Sequence, residues 1–253
     1  MGELLSRVER RFRFSGQELL RLLATVVVAA FVLTFRKWGG DEFNLYEGIF
    51  NMLMYTIVVF VSLLVHFSAQ KIMALHLGYS SEYKLWLNGI LISIIVCFFS
   101  FGYFPLFFPG VLYFNLIPKL RLGIFKGGVK TVDLAVAAVA GPGANMILVG
   151  LIAPFYIASH SAFLYLVIVV NLLIAIFSML PIPTFEQIRQ FRGGTTGLYL
   201  FIESRWIYVG AFALVLFFSL MILIAQIFSY ILAIVAGLVA GLVYYAVYDK
   251  EIK

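Results

Sequence analysis

His66 and Gln70 stand four residues apart in the apolar segment Leu64-Val65-His66-Phe67-Ser68-Ala69-Gln70-Lys71. On a helix that spacing puts two side chains about 40° apart on one face. It is the spacing at which the two imidazoles of an H-E-x-x-H helix grip zinc while the intervening Glu activates a metal-bound water. Here the three chemical positions read His66, Phe67 and Gln70. A carboxamide is a poor zinc ligand beside imidazole, and Phe67 can take no proton from water. The segment has the setting of a hydrolytic zinc site without most of its atoms.

The elements that would position these residues are membrane helices. Hydrophobic residues make up 63% of the 253 and charged residues 12%, about half the charged share of a soluble domain. We therefore expect an all-α polytopic membrane protein, with no recognisable signal peptide before the first apolar run. After a basic cytoplasmic segment over 1–18, apolar runs suggest spans near 19–35, 50–77, 132–158, 162–180, 206–225 and 227–248. The last two come from one run, too long for a single crossing, divided near Gln226 and Ser229. Ser15-Gly16-Gln17-Glu18 has the capping-box pattern ahead of the first span.

Basic residues cluster before span one, over 119–130 and over 189–205. The positive-inside rule then puts all three regions, and both termini, in the cytoplasm of a cell-membrane protein. Under that sidedness the run 87–108 enters and turns back near 100–105 as a re-entrant element, either helical or a β-hairpin. Treating it as a seventh span would place four basic residues outside. Net charge +6 fits basic loops, and no basic domain suited to nucleic acid is present. The single cysteine, Cys97, offers no disulfide.

Three stretches, in order, resemble the site-2 protease family of intramembrane zinc metalloproteases, in an archaeal-type branch. His66 to Gly78 stands where the family has H-E-x-x-H, and Glu82-Tyr83-Lys84-Leu85-Trp86 is similar to a branch segment. Ala140-Gly141-Pro142-Gly143-Ala144-Asn145 resembles A-G-P-x-x-N, where a helix broken by Gly and Pro turns an Asn toward the substrate channel. Asn171 to Glu186, with Pro181 and Pro183, resembles the run that supplies the third zinc ligand.

The resemblance implies a site-2-protease-like core with six spans plus the re-entrant element. It also implies His-His-Asp ligands and a Glu base, where this chain has His66, Gln70, Glu186 and Phe67. Asn145, Asn171, Gly141 and Pro142 become candidates for a substrate groove. The expectation is a catalytically inactive homologue, a pseudoprotease with no cofactor, that binds transmembrane helices or serves as a subunit of a membrane complex. The alternative is an active intramembrane enzyme holding zinc through an atypical ligand set of His66 and Glu186, with Gln70 as the candidate third ligand. A transporter or channel component is a third reading.

Simpler roles stand beside these. His66, Asn145 and Asn171 can hydrogen-bond between helices, and Lys71 can snorkel to the interface. Ala233, Gly237 and Gly241 form a small-residue ladder suited to close helix contact, within the chain or with a partner subunit. His76 is too far along the helix to share an ion with His66, and His160 lies at the other end of its span. The Asp residues, Asp41, Asp133 and Asp249, supply no intramembrane dyad.

Overall fold

The computed structural model describes residues 2–39, 42–117, 130–183, 194–225 and 228–249. Helix α1 (Gly2–Arg11) precedes α2 (Gly16–Thr34) and the long α3 (Leu45–Leu77). Strand β1 (Tyr79–Lys84), α4 (Leu87–Phe99) and β2 (Val111–Leu116) follow, then α5 (Thr131–Ser159), α6 (Ala162–Ser178), α7 (Thr196–Glu203), α8 (Arg205–Ala225) and α9 (Phe228–Tyr244). Among the described residues, five helices are long and apolar enough to cross a membrane, those over Gly16–Thr34, Leu45–Leu77, Thr131–Ser159, Arg205–Ile222 and Ile231–Tyr248. The chain is a helical membrane protein. Helix α6 is apolar but shorter, at 17 residues.

Local chemistry sets the helix ends. Ser15 Oγ accepts from Glu18 N–H while the Glu18 carboxylate accepts from Ser15 N–H, a complete capping box. Arg7 reaches across to the last carbonyls of α3, those of Leu75 and His76, where a cation also meets the negative end of the helix dipole.

The all-helical expectation omits one feature. β1 and β2 pair antiparallel, with Tyr79 opposite Leu116 and Lys84 opposite Val111. The chain between them rises as α4, about 20 Å long, turns at 100–104 and returns extended to its starting point. The sequence gives no sign of this pairing because β1 is largely polar and β2 largely apolar, and a helix stands between them.

The core joins α2, α3, α5 and α6 to the hairpin, with Leu22, Leu63, Phe67, Tyr83 and Ile174 at or near zero exposure. The α9 ladder is covered from within the chain. Gly237 and Gly241 lie against Gly210 of α8, and a Cβ on Gly237 would stand 2.8 Å from the Gly210 carbonyl oxygen. Ala233 is buried in the same cluster as Phe218 and Ile222. The partner-subunit reading of this ladder is therefore corrected: glycine lets α8 and α9 approach closely, and that contact occupies the face.

Candidate functional site

Ser62, His66 and Gln70 recur every fourth residue of α3 and are all buried. They form a polar seam inside an apolar bundle, facing α5, α6 and the start of α7. In hydrocarbon each such group needs a partner from protein.

Gln70 has a partner created by proline. Pro142 lies inside the continuous helix α5, and having no N–H it leaves the carbonyl of Ala138, four residues earlier, without its helical donor. Gln70 Nε2 donates to that oxygen at 2.7 Å, and Thr196 Oγ1 approaches it at 3.3 Å. Gln70 Nε2 also lies 3.1 Å from Thr196 Oγ1 and 3.3 Å from His66 Nε2. Because a carbonyl only accepts, the amide must present nitrogen to Ala138. A metal at this position would meet the N–H edge of the amide, which offers no lone pair.

Gly141 makes the arrangement possible. A Cβ there would stand 2.6 Å from both Gln70 Nε2 and His66 Nε2, so α3 can bring its polar side chains against α5 only where α5 has none. Gly197 plays a comparable part for α7: a Cβ would collide with the Met179 carbonyl. The close packing seats Thr195 and Thr196 beside the seam, and Thr195 Oγ1 donates to Leu180 O at 2.6 Å.

Phe67 packs toward the hairpin. It is buried and meets the Tyr83 ring edge-on at 4.7 Å, while Tyr83 hydroxyl bonds Thr25 and the Pro109 carbonyl. The position expected to hold a base therefore ties α3 to the hairpin through an aromatic contact.

The remaining seam is incompletely paired. Asn171 Nδ2 donates to Ser62 Oγ at 2.9 Å and to the Val167 carbonyl at 2.8 Å. Asn145 is wholly buried and stands beside the His66 ring, yet among the described residues its amide, His66 Nδ1 and Asn171 Oδ1 complete no hydrogen bond. A cavity of about 10 Å³ opens among His66, Phe67, Gln70, Pro109, Thr196 and Tyr199, space for about one water molecule.

Of the candidate residues, His66, Gln70, Gly141, Pro142 and Asn145 come together, and Asn171 joins through Ser62. The helix break expected at Gly141-Pro142 does not occur, because side chains from α3 and α7 replace the missing donor. Glu186 lies outside the described residues; Pro183 and Gly194 pair directly. His76 is exposed at the end of α3. His160 caps α5, about 28 Å along that helix from Gly141. Cys97 is buried against the Val32 carbonyl.

Lys71, Ser62 and Thr196 have partners that their local sequence does not reveal. Lys71 does not snorkel: it is buried, with its ammonium 2.6 Å from Glu18 Oε1 and donating to the carbonyls of Arg13 and Ser81. Glu18 also accepts from Tyr83 N–H at 2.7 Å. A carboxylate in the first turn of the first apolar helix was the available signal for this partner. For Thr196 the signal was Pro142, whose orphaned carbonyl demands a donor.

Among the described residues no three of His, Cys, Asp or Glu come together; the imidazole of His66, the amide N–H of Gln70 and the phenyl ring of Phe67 are what this part of α3 offers, and the Glu186 position lies outside the described residues. No protein-family model, curated protein or solved structure matches the chain.

Proposed function

We propose that this chain is a catalytically inactive homologue of the site-2 proteases that binds transmembrane helices, as a client-binding protein or as a subunit of a membrane complex. One observation carries the reading: Gln70, at the second ligand position, spends its N–H on the carbonyl that Pro142 orphans. Residues suited to zinc chemistry have been replaced by residues that hold the same helices together. The order of the three family-like stretches supports the lineage, and the meeting of His66, Gly141 and Pro142 supports their belonging to one site. The proposed setting is the cell membrane with both termini cytoplasmic, as the basic segments favour.

Binding need not involve metal. Among the described residues the Asn145 amide and the Asn171 Oδ1 are without partners, and such groups are suited to the backbone of an incoming helix, whose polar groups lack water in the bilayer. Purification from native membranes in mild detergent tests the reading. A stoichiometric membrane-protein partner, lost in a folded Asn145→Leu variant, is expected; a monomer without partner would overturn it.

A further inference from the structure

The end of the bundle where α2 begins and α3 ends carries an open cleft of about 540 Å³, walled by Arg10, Arg11, Arg13, Ser15, Ser80 and Ser81. We infer that this cleft binds a phosphate-bearing anion, and that its source is the headgroup of an anionic lipid.

The charge in the cleft is uncompensated. Arg7 is engaged with the end of α3 and Arg21 with Glu82 at 3.0 Å, but among the described residues Arg10, Arg11 and Arg13 have no carboxylate partner, and all three are exposed. The acidic group at the cleft floor, Glu18, is already neutralised by Lys71. Three guanidinium groups with serine hydroxyls between them match the oxygens of a phosphate, which arginine recognises through paired N–H donors.

The walls are also held in place. Lys71 Nζ donates to both the Arg13 and Ser81 carbonyls, so one buried ammonium fixes the two sides of the cleft. A lipid is favoured over a soluble phosphate by depth. Arg13 lies three residues before a membrane-length helix, and Leu20, Leu23 and Val27 form an exposed apolar stripe descending that helix, suited to acyl chains beneath a bound headgroup.

Native mass spectrometry of the full chain, titrated with phosphatidylglycerol or phosphatidylcholine, tests this. We expect at least about tenfold preference for phosphatidylglycerol, given the strength of basic side chains at anionic surfaces. The preference should vanish in R10Q/R11Q/R13Q and persist in R36Q/K37Q, which removes charge beyond the other end of α2. Equal affinity for the two lipids, an unaffected triple variant, or equal loss in the control would overturn the site. Displacement of phosphatidylglycerol by inorganic phosphate binding as tightly would overturn the lipid assignment.

Discussion

Gln70 of α3 caps the Ala138 carbonyl of α5 at 2.7 Å, and that carbonyl is free because the residue four places on is Pro142. A side chain on one helix thus repairs the hydrogen-bond ladder of another. The repair explains how a proline can sit inside a continuous buried helix.

Removing the donor should expose the defect. Gln70→Ala leaves Ala138 with only the longer Thr196 contact and should destabilise the protein by about 1–3 kcal/mol. In a Pro142→Ala background, where a backbone N–H is restored, the same substitution should cost less. A double-mutant cycle read by unfolding in mixed micelles checks this; strict additivity would contradict the pairing.

Gly141 and Gly143 separate space from helix propensity. Gly141→Ala drives a methyl into His66 and Gln70 and should cost about 1–3 kcal/mol. Around Gly143 there is nothing within 4 Å of an added Cβ, so Gly143→Ala should be neutral or stabilising by up to about 1 kcal/mol. Thermal unfolding in detergent compares them. Equal effects would show that the seam does not press on α5.

The buried pair Lys71 and Glu18 should behave asymmetrically. Lys71→Ala strands a carboxylate in the bundle and should cost about 3–5 kcal/mol, whereas Lys71→Met with Glu18→Leu should recover most of it. Failure of the double variant to recover would assign the cost to the carbonyls of Arg13 and Ser81 instead.

Alkaline pH should loosen the hairpin. Burial is the main cause that pushes the phenols of Tyr79, Tyr83 and Tyr199 above the usual tyrosine range. Above about pH 10, the ordinary value, the unfolded chain releases protons that the folded chain retains, so stability falls as pH rises. Ultraviolet titration should find phenols ionising late, together with unfolding. All 14 tyrosines titrating in one early wave, with the fold intact, would contradict this.

The helical membrane character was legible in the sequence because apolar composition over long runs leaves no other way to satisfy a backbone in lipid. The meeting of His66 with Gly141 and Pro142 was legible only through motif order, since nothing local to either helix specifies its neighbour. The uses of Gln70 and Lys71 were hidden for a related reason. Each depends on a group far along the chain, an orphaned carbonyl at 138 and a carboxylate at 18. The β1 and β2 pairing was hidden because it closes across a helix, without the short turn that marks a hairpin.

Zinc stoichiometry tests the central claim most directly. Protein purified without chelator should carry well under one equivalent of zinc, and the amount should not change in His66→Ala. The double variant Phe67→Glu/Gln70→His, which restores the H-E-x-x-H pattern, should bind more. Zinc near one equivalent in the natural sequence, lost in His66→Ala, would contradict a site given over to holding helices together.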